Sequence, residues 1–208
     1  LRMSIDPALM ARLLKWRHHL HAHPELSQQE SKTASFVASC LEELGVPFAS
    51  NVGGRGLVAT LRRGASPRSV GLRADMDALP IAELNEVAHA STSPGVMHAC
   101  GHDGHTVSLL GAAALLSRDP GWQGTVQLIF QPAEENGAGA KAMIADGLFE
   151  RFPVDEIYGA HNIPGLALGC IATRSGGIMA SEDNFVITVR GRGGHAARPQ
   201  MAVDPLVV

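Results

Sequence analysis

The chain has 208 residues, 45% of them hydrophobic and 18% charged, with a formal net charge of -3. That length gives one or two domains with a substantial core, and the 4% aromatic content leaves most of the filling to Leu, Val, Ile and Ala. The charge offers no attraction for nucleic acid or an anionic membrane, no apolar run is long enough to cross a bilayer, and residues 1–10 lack the basic-then-apolar order of a secretory signal, so a cytoplasmic protein is expected.

Met3 is a candidate start. Asp6 and Pro7 open a first helix carrying Leu9, Met10, Leu13, Trp16 and Leu20 near helical spacing, which runs out around His23 and Pro24. Ser27 and Glu30 match the S-x-x-E capping box of a second helix, with Phe36, Val37, Cys40, Leu41 and Leu44 inward and a stop at Gly45. Residues 57–61 and 69–74 read as strands, the second the more buried. A loop of small and polar residues leads to Met97 and Cys100, and an Ala/Leu-rich helix is expected over 104–117. The run TVQLIF at 125–130 is apolar and β-branched, as suits a central strand. A helix over 141–148 and a strand over 156–160 follow. Helices alternating with apolar strands indicate an α/β layered domain. From Asn184 to Val189 the pattern alternates and is more exposed, then comes a glycine-rich turn with His195. A boundary near 177–181 gives domains 1–179 and 180–208. Asp204 and Pro205 supply the N-cap and first-turn proline of a further helix, so the chain is expected to be cut within an element at Val208.

In open α/β sheets ligands bind outside the carboxyl ends of the strands, and the unusual polar residues fall at such ends. Asp75 and Asp77 follow one strand, Glu134 and Glu135 another, His161 a third, while Cys100 and His102 lie in a loop before a helix. Thiolate, imidazole and carboxylate together suit a borderline transition metal better than calcium or magnesium alone. Crowded carboxylates repel without a cation. Two ions roughly 3.5–4 Å apart make water reactive at neutral pH and polarise a carbonyl, and one glutamate of the Glu134–Glu135 pair can carry protons while the other binds metal.

These motifs resemble the peptidase-like amidohydrolase family that includes hippurate hydrolase, plant indoleacetyl-amino-acid hydrolases and bacterial N-acetyldiaminopimelate deacetylase. The matching stretches are HAHPEL from His21, LRADMDALP from Leu72, MHACGHDGH from Met97, FQPAEE from Phe130, GAHN from Gly159 and GGHAARP from Gly193, in family order along the chain. The resemblance implies a zinc-exopeptidase-like layered catalytic domain with a central mixed sheet, followed by the start of a smaller α+β lid or dimerisation domain. It implies that Cys100, His102, Glu135 and His161 are metal ligands, that Glu134 is the general acid/base and that His195 supports the oxyanion, sometimes in a partner's site. Two divalent ions (Mn, Zn, Co or Ni), a small N-acyl amino acid substrate and a possible homodimer through the lid domain are implied with them. The family's last metal ligand, a late histidine, is expected beyond this segment, which alone would then be inactive.

Simpler readings compete at each position. A free cysteine is usually a small buried hydrophobe, and that reading suits Cys40 and Cys170 but not Cys100, flanked by His98, His102 and His105. The odd, wide cysteine spacing argues against a disulfide framework. A Cys100–His102 nucleophile pair is awkward two residues apart and leaves the glutamates without a role. Asp75 and Asp77 serve as metal-site support or as strand-end caps. His195 fits a plain Gly-Gly turn as well as a catalytic role. His18, His19, His21 and His23 fall on different helix faces, so surface and capping roles are expected. The Gly54-x-Gly56-x-x-Ala59 echo of a dinucleotide fingerprint opens a strand, not a helix, and is rejected. A non-catalytic metal-binding or assembly protein retaining the fold is the alternative to an amidohydrolase.

Overall fold

The computed structural model describes residues 5–207 except 182 and 184; Met3, Asn184 and Val208, invoked above, lie outside them. The described residues divide into two compact units, Leu1–Pro164 and Gly165–Val208.

The first unit is a mixed five-stranded sheet between two helical layers. Helix α1 (Pro7–Ala22) begins as expected: Asp6 accepts a 2.8 Å hydrogen bond from the Leu9 N–H and Pro7 occupies the first turn. Its buried stripe is Leu9, Leu13, Trp16 and Leu20. Helix α2 (Ser31–Glu43) departs from the capping-box expectation. Glu30 is its N-cap residue but makes no side-chain cap. The Ser27 hydroxyl donates to Asp77 and the Glu30 carboxylate turns inward to the Ala133 N–H, so neither is free for the helix. Glu25 takes over, accepting from both the N–H and the hydroxyl of Thr33 in the first turn.

Strands β1 (Phe48–Val52), β2 (Gly56–Arg63) and β3 (Ser69–Asp75) come next, then α3 (His102–Arg118) and β4 (Gly124–Gln131). Strand β1 went unassigned from sequence because Ser50 and Asn51 break its apolar run and a bulge irregularity interrupts its register between Ala49 and Val52. The helix expected over 141–148 is two pieces, α4 (Gly139–Ala145) and α5 (Leu148–Arg151), parted at Gly147, whose φ of 80° is left-handed. Strand β5 (Glu156–Gly159) is the exposed edge. The order is β1-β2-β4-β3-β5, with β1/β2 and β2/β4 antiparallel and β4/β3 and β3/β5 parallel.

The two-residue period of the strands sorts side chains between layers. Leu57, Ala59, Leu128 and Phe130 pack with α1, α2 and α3, whereas Val58 and Ile129 pack with Met143 and Leu148 of α4 and α5. Burying one such side chain fully contributes about 1.5–3 kcal/mol. No helix among the described residues is long and apolar enough to cross a membrane.

The second unit, taken alone, holds a short 3-10 helix (Pro199–Met201) and an isolated antiparallel bridge between Arg192 and Val203. Residues 185–190 form no regular strand. Asp204 accepts from the Leu206 N–H, but the residues through Val207 make a turn and not the expected helix.

Candidate metal centre

Parallel pairing puts the strand ends on one edge. Asp75 closes β3 opposite Gln131, which closes β4, and β5 ends at Gly159 beside Arg73 of β3. Asp77, Glu134, Glu135 and His161 follow within a few residues. His102 is the first residue of α3 and not a loop residue, two positions earlier than the sequence suggested, with Gly101 before it in the left-handed region at φ 90°. The left-handed φ favours glycine at 101, and a side chain there would also press on the end of the Asn162 side chain.

His102 is fully buried among three carboxylates. Its Nδ1 lies 3.3 Å from Asp77 Oδ1, and its Nε2 lies 3.6 Å from Asp75 and 3.7 Å from Glu135. With Nδ1–H held by Asp77, the Nε2 lone pair is free. His161 is arranged the same way: Nδ1 is 2.7 Å from the Asn162 carbonyl, leaving Nε2 facing Cys100 Sγ at 3.4 Å. Donor atoms of Cys100, His102 and His161 lie within 4.8 Å of one another, as do those of His102, Glu134 and Glu135, and those of Asp75, His102 and His105. His102 is common to all three groups. His195, in the second unit, uses its Nδ1 to accept from the Ala197 N–H within its own turn.

A divalent cation fits these donors. Among the described residues, His102 Nε2 and Glu135 Oε1 are buried atoms without a hydrogen-bond partner, an arrangement costly for polar groups left alone. Burial and the neighbouring Glu135, Glu134 and Asp75 push the Cys100 thiol up to about 12. Burial together with Glu134 holds the Glu135 carboxyl above its ordinary range against the opposing pull of His102. Both shifts come first from burial and then from neighbouring carboxylates, and a divalent cation bound here would oppose both and deprotonate the thiol.

The surroundings are built to hold this centre. Burial opposes ionisation of Asp77, but hydrogen bonds from His102, Ser27 and the Glu135 N–H outweigh it and bring the carboxyl down to about 2. Asp75, likewise buried, is held ionised by His105 at 2.7 Å and by Arg73 at 2.8 Å. Both aspartates thus hold imidazoles in place at the end of β3. His105 and Asn162 were given no role from sequence, although His105 is three residues from His102 and therefore on the same helix face. It also accepts from the Asn162 N–H. His21 is not the surface residue its sequence position suggests. It is buried, with Nδ1 3.0 Å from Asp103 and Nε2 3.0 Å from Glu83, because α3 packs over that face of α1. His18, His19 and His23 are exposed as expected.

A layered mixed sheet with thiol, imidazole and carboxylate gathered at its carboxyl edge defines a class. The chain belongs to the Peptidase family M20/M25/M40, whose model matches residues 71–207. Hippurate hydrolase of Campylobacter jejuni is 47% identical over 192 residues, 92% of this chain and 50% of that protein. An IAA-amino acid hydrolase of Arabidopsis thaliana is also 47% identical over 192 residues, 92% of this chain and 43% of that protein. The crystal structure of a dinuclear metal-binding peptidase of the M20 family from Bacillus subtilis matches with a TM-score of 0.75 at 41% identity, over 79% of this chain and 46% of that one. The chain spans about half the length of the curated relatives it matches.

Proposed function

We propose that the protein is a metal-dependent amidohydrolase that cleaves the amide bond of small N-acyl amino acids, with an acetyl, benzoyl or arylacetyl group, to a carboxylic acid and an amino acid. The reading is carried by the two orphaned buried atoms, His102 Nε2 and Glu135 Oε1, beside Cys100 and His161 with the Glu134 carboxylate in reach. The names of the relatives support the substrate class. A cytoplasmic location and a homodimer of the whole protein belong to the same proposal.

Cys100, His102, Glu135 and His161 would hold two divalent cations (manganese, zinc, cobalt or nickel), which would polarise the acyl carbonyl and lower the pKa of water there. Glu134 takes a proton from the attacking water as its oxygen bonds the acyl carbon, and delivers it to the amine as the C–N bond breaks. Asp77 and the Asn162 carbonyl keep the two imidazoles in the tautomer that presents Nε2. His195 supports the charge on the acyl oxygen, a type of contact worth about 3–4 kcal/mol per donor.

The test is hydrolysis of hippurate and N-acetyl amino acids by the whole protein carrying this chain. Turnover should vanish with a chelator and return with manganese or zinc, and Glu134→Gln should abolish it while metal stays bound. Chelator-resistant turnover, or wild-type rates in E134Q, would overturn the assignment. Metal bound without turnover favours a non-catalytic protein that keeps the fold.

A further inference from the structure

The segment carrying the two glutamates is bent in an unusual way. Ala133 has φ 48°, in the left-handed region, where a residue with a Cβ is strained by about 1–3 kcal/mol. Such a kink persists only where its surroundings enforce it. The Ala133 carbonyl accepts from the Gly139 N–H at 3.0 Å and the Glu134 carbonyl accepts from the Gly137 N–H at 2.9 Å, closing a tight loop over 133–139. Gly139 sits so close that a side chain there would collide with the Pro132 carbonyl. These bonds close the loop upon itself, and two buried carboxylates tie it to the rest of the unit. Asp77 accepts from the Glu135 N–H at 3.0 Å, and Glu30 accepts from the Ala133 N–H at 2.7 Å.

Glu30 is 103 positions away in sequence, is fully buried, and lies at the start of α2, outside the metal centre. Nothing in the reaction proposed above uses it, and it does not cap its own helix. Its second oxygen has no hydrogen-bond partner among the described residues, a standing cost that an apolar residue would not carry. The backbone N–H groups of Glu30 and Gln28 also favour its charge, but its well-formed hydrogen bond ends on Ala133, the kinked residue next to Glu134.

We propose that Glu30 is a positioning residue: through the Ala133 N–H it holds the left-handed kink that aims Glu134 and Glu135 at His102. The inference rests on the metal-centre reading for its functional meaning but on backbone geometry for its substance. Glutamine has the same length and keeps an acceptor oxygen at the same place, which makes it a close substitute.

The experiment compares wild type, Glu30→Gln and Glu30→Met in the whole protein by hydrogen exchange of the 133–135 amides and by zinc titration. E30Q should match wild type within about twofold in both. E30M should fold with an unchanged far-UV spectrum, exchange the 133–135 amides at least tenfold faster, and bind zinc about 10–100-fold more weakly, the usual cost of removing a group that supports a ligand. Should E30M fail to fold, Glu30→Asp, which withdraws the oxygen by one carbon, carries the same comparison. Unchanged exchange in the folded variant would overturn the proposal. If wild type binds no zinc, the metal-centre reading fails, yet the amide exchange still decides whether Glu30 holds the kink.

Discussion

Alkylation of the three cysteines distinguishes a metal centre from ordinary thiols. Cys170 is exposed, Cys100 is intermediate and Cys40 is 2% exposed. Burial pushes the Cys40 thiol from 9.0 up to about 12. That rise cuts the reactive thiolate about a thousandfold at fixed pH, before any steric shielding by Leu41 and the sheet is counted. Cys40 should therefore react only when the unit unfolds, while Cys170, being exposed, should react in the folded protein. Cys100 is the informative one. Without metal its thiol sits at about 12 like that of Cys40, but its sulfur is only half-buried, so it should label slowly yet measurably in the folded unit at alkaline pH; zinc at a hundred times its Kd should slow that labelling about a hundredfold further and leave Cys170 unchanged. Magnesium, a hard ion with little affinity for sulfur, should not protect. The assay is a time course with iodoacetamide, read at each cysteine by peptide mass spectrometry. Labelling of Cys100 at the same rate with and without zinc would refute the soft-donor centre, and equal slowing at Cys170 would show indiscriminate zinc binding.

Other perturbations probe the scaffold. At Gly53, with φ 63°, a Cβ would run into the backbone of Ala142 and Met143, so Gly53→Ala should cost about 2–4 kcal/mol and lower the melting temperature of the unit by several degrees; an unchanged melt would contradict that close approach. Burial alone would lower the His21 pKa, but hydrogen bonds to Glu83 and Asp103 outweigh it and raise it, with Arg17 near Asp103 and the rings of His89 and His98 facing His21. A raised histidine contributes stability that is complete below its unfolded value of about 6.5 and is lost as pH climbs through the folded value. Melting temperature should accordingly fall above pH 6.5 in wild type, and His21→Asn should lack that component; parallel pH profiles for the two would contradict it.

The outline of the first unit was readable because its elements carry strong local signals. Asp6-Pro7 opens α1, and the apolar run of β4 suits a strand covered on both faces. The ligand candidates were readable because cysteine, histidine and glutamate sat at strand ends, where an open sheet exposes them. Tertiary competition was not readable. Ser27 and Glu30 have the spacing of a capping box, yet Asp77 and Ala133, from distant strand ends, claim both side chains. His21 likewise reads as a surface histidine until α3 brings Asp103 against it. Strand β1 owes its pairing to β2 and not to its own composition. His105 and Asn162 gave a weak signal because a side chain that orients a ligand can be any polar type at the right place.

The parallel register of β3 and β4 has a consequence for assembly. Asp75 and Gln131 are 56 positions apart in the chain, and the connection between these strands must cross α3 before they meet. Cys100 and His102 travel on that crossover, so the donor set does not exist as a local peptide motif and comes into being only when distant pairing is complete. A cation would then recognise the finished topology and not the unfolded chain, and its binding energy would add to the stability of the fold.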